Sequence, residues 1–419
     1  MRWNRLGHLI VAGATAVVLA ATPAASRPAA PRPPAVPWTT AWATAPAAAV
    51  GGIERGYAGF TFRNVVHPTA GGNRVRVHLS NRYGTRAVRM GHVTVAVSAH
   101  AGGTRDGAID PSDGSAVPGT VRDVRFAGRR WITVPAGAEV VSDPVALGVA
   151  ADRDLLVSIW TPEPSGTVTQ HPAALQDSFL ARGPADHAGD MAATAFTGTT
   201  RAWHYVSGVD VAGGPGTVVA LGDSITDGTA STRGGNRRWT DHLAARLATS
   251  AVPDYGVANA GISGNRVLRD SSRGGRSALT RLPHDVLDRA GARTVIVAAG
   301  INDIQRARHS DDPEEIAAGL AQIAARARAR GMRVVGATVL PWKGRGTWTP
   351  EREATRAAVN AWIRAGGGGA FTGVADFDAA TRDPADPQRL WPGYDSGDHL
   401  HPNDAGQLAM ARAVPLDEL

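Results

Sequence analysis

A chain of 419 residues is longer than one hydrophobic core usually supports, so two folded domains are expected, and 43% hydrophobic with 19% charged residues excludes a disordered or fibrous class. There is no cysteine, which rules out a disulfide framework, a thiolate metal site and cysteine nucleophilic catalysis. The formal charge of +7 comes from scattered arginines, with Lys343 the sole lysine and no dense basic run interleaved with aromatics, so a nucleic-acid partner is not expected.

The chain opens on a short basic stretch, "MRWNRLGH", followed by the apolar run "LIVAGATAVVLAA" and the small residues "TPAAS". The apolar run is too short to span a bilayer, and the order is that of a secretory signal peptide covering residues 1–26. A secreted, extracellular protein is expected, with no transmembrane segment left after the signal is removed. "RPAAPRPPAVP", residues 27–37, is an extended proline-rich linker.

Residues 38–211 read as a β-rich accessory domain. Period-two runs such as "RVRVHLS" (74–80), "HVTVAVS" (92–98), "WITVP" (131–135) and "DLLVSIW" (154–160) are separated by Gly, Pro, Asn and Asp turns. The alternation predicts antiparallel strands in a β-sandwich or jelly roll. After "AGGPG" (212–216) the rhythm changes. The apolar runs "TVVALG", "RTVIVAAG" and "MRVVGATVLP" alternate with helical stretches around 239–249, 276–290, 313–330 and 350–365. Strands apolar along their whole length with helices between them predict an α/β domain built on a parallel sheet covered on both faces, over residues 217–414. In such sheets ligands bind beyond the carboxyl ends of the strands.

Ser224, in "LGDSIT", falls just past the end of the first such strand, where the helix that follows presents unpaired N–H groups. On its own it reads as a nucleophile or as a helix cap. A nucleophilic serine needs a base and a group to orient that base. "GDHLHPNDAG" supplies Asp398 and His401, ahead of a helix that Asn403 can cap; His399 and Asp395 are rivals for the same two roles. Acyl transfer also needs oxyanion donors. "NAGISGN" offers the backbone N–H of Gly264 and "AAGIND" the amide of Asn302, each alternatively a simple turn residue. Asp223 and Asp227 read as structural carboxylates near a helix start.

Taken as a set, "GDSIT", "GISGN", "GIND" and "DHLH" make residues 217 to about 414 resemble the SGNH, or GDSL, hydrolase superfamily. The resemblance implies a flavodoxin-like three-layer α/β/α domain. It implies Ser224 as nucleophile, His401 as base and Asp398 as its partner, with the Ser224 backbone N–H, Gly264 and Asn302 forming the oxyanion hole. The absence of a G-x-S-x-G elbow argues against the α/β-hydrolase fold, and with no H-E-x-x-H and no P-loop, no metal and no cofactor are expected. The expected activity is that of a serine esterase or lipase acting on a small ester, an acylated glycan or a lipid. An acyltransferase would share the same acyl-enzyme. A different reading makes the β-rich part a glycan-binding or wall-attachment module, with Trp131, Trp160 and Trp203 either stacking on sugars or packed in the core. In "PWKGRGTW", Trp342 and Trp348 either line the substrate pocket or pack a long loop. The sequence leaves the oligomeric state open.

Overall fold

Valines at every second position build two antiparallel sheets in the first half of the chain, seen in a computed structural model that describes residues 37–47, 56, 58–100, 114–272 and 274–419. The signal-peptide stretch 1–26 and the linker up to residue 36 lie outside the described residues. One sheet runs in the order Trp38–Ala43, Val206–Ala212, Gly72–Ser80, Glu139–Val141, with Val145–Val149 also paired to Gly72–Ser80. The other runs Gly198–Thr200, Ser178–Arg182, Phe60–Val66, Leu155–Thr161, His92–Val97, Arg122–Asp123. Val75, Val77 and Leu79 of the first share one buried cluster with Phe62, Val93, Val95, Val157 and Ile159 of the second, which makes the pair a sandwich. Leu155–Thr161 departs from simple alternation because its outer face is covered too, Leu156 packing with Val65, Phe179 and Phe196 in a second cluster.

The second half is a five-stranded, all-parallel sheet in the order Gly256–Gly261, Thr217–Gly222, Ala292–Ala298, Arg333–Ala337, Gly373–Ala375. This is the flavodoxin-like order, 2-1-3-4-5, and its direction of growth reverses beside Thr217–Gly222. Every residue of that strand is buried because helices cover both faces of the sheet. Trp239–Ala248 packs with Asp404–Arg412, and Pro313–Arg328 packs with Pro350–Arg364. The last two helices start as their sequence dictates: Asp312 accepts from Glu314 N and Thr349 from Arg352 N, each followed by proline at the first helical position.

One predicted helix is broken. The stretch 276–290 forms a short α-helix, Ala278–Leu282, that passes into a π-type turn, Pro283–Leu287. Pro283 has no N–H to give back to the preceding turn, and the carbonyl of Leu279 is taken instead by Arg326 at 2.8 Å.

The halves are sewn together by backbone and side-chain hydrogen bonds, and Val36–Leu419 group as one unit. Thr40 N donates to Thr217 Oγ1 at 2.9 Å, Val257 N to Thr69 Oγ1 at 2.8 Å, and Arg289 reaches Ser207 O at 3.1 Å. Ala43 and Ala45 from the first strand region join the core of the parallel-sheet half. Among the described residues no helix is long and apolar enough to cross a membrane.

Arg281, only 1% exposed, holds the carboxyl ends of two parallel strands in register. Its guanidinium donates to Gly222 O at 2.8 Å and Ala260 O at 2.7 Å, to Asn265 Oδ1 at 3.1 Å, and pairs with Asp285 at 2.9 Å. Replacing it leaves Asp285 and three other acceptors buried without a donor, so Arg281→Leu is expected to destabilise the fold by about 3–5 kcal/mol. Urea unfolding followed by circular dichroism measures this, and a loss well under 1 kcal/mol would show that the bridge is dispensable.

Candidate active site

The turn after the first parallel strand is set by a close approach. A Cβ at Gly222 would lie 2.1 Å from Thr226 Oγ1 and 2.7 Å from Ala298 O, so only glycine lets the chain turn back so tightly. Asp223 then caps the one-turn helix Ser224–Asp227, its Oδ1 accepting from Ile225 N at 3.0 Å, and Gly228 closes that turn in the left-handed region at φ 95°. Burial, reinforced by the nearby charge of Asp303, pushes the Asp223 carboxyl up to about 7. The cap is therefore the aspartate and not the serine. The Ser224 hydroxyl is left to another partner.

That partner is His401, whose Nε2 lies 2.9 Å from Ser224 Oγ. His401 Nδ1 lies 2.6 Å from Asp398 Oδ2. Both residues come from the loop before the helix Asp404–Arg412, which Asn403 caps through Ala405 N and Gly406 N. Asp398 Oδ1 accepts from His401 N at 2.8 Å and Leu400 N at 3.0 Å, and Arg345 donates to its Oδ2 at 2.8 Å and its carbonyl at 3.0 Å. Burial by itself would raise Asp398, but the two backbone N–H donors and the imidazole of His401 outweigh it and hold the carboxyl well below the usual range. His401 moves the opposite way to a salt-bridged histidine. Burial lowers it, the attraction of Asp398 falls short of compensating, and the charges of Arg345 and Arg306 add to the lowering. The neutral ring then carries its proton on Nδ1, facing Asp398, and presents the Nε2 lone pair to Ser224.

Asn302 follows Gly300, at φ 134°, on the helix Ile301–Gln305 beyond the neighbouring strand. Its orientation is fixed from both ends: Oδ1 accepts from Arg306 Nε at 2.8 Å and Gln305 Nε2 at 3.2 Å, while Nδ2 donates to Asn265 O at 3.0 Å. Nδ2 keeps a second hydrogen for the cleft. Gly264 sits at φ +80°, and a Cβ there would lie 3.0 Å from Arg306 Nη2. The loop that carries Gly264 is anchored by Asp303, which accepts from Val267 N at 2.8 Å and Leu268 N at 3.0 Å. Among the described residues neither Ser224 N nor Gly264 N donates to an acceptor. Ser224, Asn302 and His401, with Arg306, Arg345 and Thr347, line one cleft of about 500 Å³.

The rival pair lies elsewhere. His399 is half exposed at φ +62°, with Nδ1 2.7 Å from Asp395 Oδ2, and Asp395 spends its other oxygen on Gly397 N and His399 N. Trp342 is fully buried and Trp348 packs against the same core, so neither lines the cleft; Arg345 and Thr347 between them do. Trp203 is buried with Nε1 on Val65 O at 2.7 Å and Trp160 is half-buried, whereas Trp131 is exposed under the guanidinium of Arg89. Two contributors escaped the sequence reading. Arg345 stands between tryptophans that drew attention for their rings, and nothing local marks it as the partner of Asp398. His171, from the antiparallel half, lies 2.9 Å from Asp227 Oδ1. Along the sequence Asp227 reads only as a structural carboxylate near a helix start. Among the described residues no group of three or more His, Asp or Glu side chains is placed to hold a metal ion.

Residues 220–409 match the model of the GDSL-like lipase/acylhydrolase family. No curated protein matches the chain. Similar solved structures include a GDSL-like lipase from Bacteroides thetaiotaomicron VPI-5482, at 21% identity over 47% of this chain and 85% of that one, with a TM-score of 0.37. Est24, a carbohydrate acetylesterase from Sinorhizobium meliloti, aligns at 18% identity over 47% of this chain and 95% of its own, with a TM-score of 0.39. The aryl esterase of M. smegmatis aligns at 18% identity over 47% and 95%, with a TM-score of 0.39. Residues 220–409 are a GDSL-like lipase/acylhydrolase domain, and the chain that carries it is a carboxylic ester hydrolase.

Proposed function

We propose that this protein is a secreted serine esterase that works through an acyl-enzyme on Ser224. The observation that carries the reading is the continuous chain from Ser224 Oγ to His401 Nε2 at 2.9 Å and from His401 Nδ1 to Asp398 at 2.6 Å. As Ser224 Oγ attacks the ester carbonyl carbon, its proton passes to His401 Nε2, and Asp398 stabilises the imidazolium that forms. The carbonyl oxygen becomes an oxyanion that accepts from Ser224 N, Gly264 N and Asn302 Nδ2. Collapse breaks the bond to the alkoxy oxygen, which takes the proton from His401 and leaves as the alcohol. Water then gives its proton to His401, attacks the acyl carbon, and releases the acid with Ser224 restored.

The substrate reading is a short acyl ester of a polar, hydroxylated alcohol, such as an O-acetyl group on a glycan. It is supported by a cleft of about 500 Å³ walled by Arg306, Arg345, Gln305 and Thr347, which suits hydroxyl groups better than a long aliphatic chain. Secretion is supported by the basic, apolar and small-residue order of residues 1–26. Turnover of 4-nitrophenyl acetate, butyrate and octanoate, beside acetate release from acetylated xylan, tests the substrate reading. Acetyl selectivity with release from the glycan is expected, and a preference for octanoate without glycan deacetylation would overturn it.

Ser224→Ala is expected to abolish turnover at an unchanged circular dichroism spectrum. Asn302→Ala should lower kcat by about 100- to 1000-fold; an Asn302→Ala variant with full activity would remove that amide from the mechanism.

The pH profile follows from the sign of the His401 shift. The base acts when neutral and is held below its ordinary 6.5, so kcat/KM should stay high as pH falls to 6.5 and drop through one ionisation below it. Arg345→Gln removes one of the charges that depress His401 and should move that acid limb to higher pH. A limb that stays in place or moves lower would show that Arg345 does not act on His401.

A further inference from the structure

We propose that His171, contributed by the antiparallel half, is a positioning residue for the oxyanion hole: acting through Asp227, it fixes Ser263 and with it the N–H of Gly264. The inference rests on the reading above that Gly264 N is an oxyanion donor.

His171 sits on the short strand Gln170–His171, paired opposite Trp203, and its side chain is 2% exposed. Nδ1 lies 2.9 Å from Ala45 O, and a carbonyl only accepts, so Nδ1 bears a hydrogen. Nε2 lies 2.9 Å from Asp227 Oδ1. Two acceptors on one ring are both satisfied only by the imidazolium, which then faces a carboxylate that is itself buried. Burial by itself would lower His171 and the guanidinium of Arg238 opposes its charge, but Asp227 outweighs both and raises it. Arg238 also ties in the same corner, donating to Asp227 O at 3.3 Å and to Ala174 O.

The second oxygen of Asp227 carries the connection onward. Oδ2 accepts from Ser263 N at 3.0 Å and from Ser263 Oγ at 2.8 Å. Ser263 immediately precedes Gly264, and Asp227 stands three residues after Ser224 on the same helical turn. One carboxylate thus spaces the nucleophile against the oxyanion loop, and the cation that holds it comes from the other half of the molecule. The approach is close: a Cβ at Gly261 would lie 2.3 Å from Asp227 N. Without His171, Asp227 would keep two neutral donors and lose its buried counter-charge, so its carboxylate would turn from this position and Ser263 would lose its anchor.

The test uses the full chain with 4-nitrophenyl acetate, rates being normalised to the folded fraction. His171→Phe keeps an aromatic ring in the site and removes both donors. It should lower kcat by roughly tenfold to 100-fold with KM little changed, because an oxyanion donor displaced by a fraction of an ångström loses its effect in the transition state. Ser263→Ala should give a smaller loss. The double variant should lose no more than His171→Phe alone, since both act through Asp227. A folded His171→Phe enzyme with wild-type kcat, or losses that multiply in the double variant, would overturn the proposal. If His171→Phe does not fold, Ser263→Ala decides: a reduced kcat at unchanged thermal stability supports the relay, and unchanged kcat overturns it. Asn302→Ala, measured alongside, separates the two levels. Collapse of Asn302→Ala beside an unaffected His171→Phe removes only the relay, whereas a fully active Asn302→Ala removes the oxyanion reading on which it stands.

Discussion

The buried guanidinium of Arg281 is the contact from which the rest of the site takes its dimensions. It is almost wholly buried and donates to the last carbonyl of the first parallel strand, the penultimate carbonyl of its neighbour, and the side chain of Asn265 in the loop beyond. Those three points fix how far the serine turn stands from the loop that carries Gly264. The glycines at the ends of both strands serve the same spacing, since a methyl group at either would meet backbone or Thr226 within 2.7 Å. Asn265 passes the constraint on through its own carbonyl, which takes the amide of Asn302. The strand ends, the loop and the amide of Asn302 are thus one connected set, of the kind the proposed oxyanion site needs.

Charge is distributed on that frame so that two buried histidines are driven in opposite directions. His401 has a carboxylate behind it, but burial lowers the ring by more than Asp398 raises it, with the charges of Arg345 and Arg306 adding to the lowering, which favours the neutral ring. His171 is buried too, but the carboxylate on one nitrogen and the carbonyl on the other outweigh burial and the charge of Arg238 and raise it, which favours the cation. Environment, and not residue type, separates a base from a counter-ion. Asp223 makes the same point among the carboxylates. It is lifted to about 7 by burial, while Asp398, fed by two backbone N–H groups and the imidazole of His401, is driven down.

The antiparallel half also contributes to the chemistry by position. Its strand Trp38–Ala43 runs beside the parallel sheet, with Thr40 bonded to Thr217 at the base of the first parallel strand. At the opposite end of that strand His171 reaches Asp227. The sandwich therefore braces the strand that carries Ser224 at both ends.

The alternation of valines, the unbroken apolar runs and the four short blocks around Ser224, Gly264, Asn302 and His401 were legible along the chain because each is local: a strand period, a tight glycine turn and a cap are decided within a few residues. Pro283 is the counterexample within a local pattern, where a predicted helix gave way to a π-type turn once Arg326 could take the orphaned carbonyl. What the linear order withheld are the pairs separated by tens or hundreds of residues: Arg345 on Asp398, His171 on Asp227, and Arg281 across two strand ends. Arginine, histidine and aspartate side chains of this kind are common on any surface, and no spacing marks which will be buried together. The sequence by itself determined which residues could do chemistry and the fold class that would display them. Only the tertiary structure decided which charges face one another in a medium poor in water, and burial together with those pairings moves His401 down and His171 up.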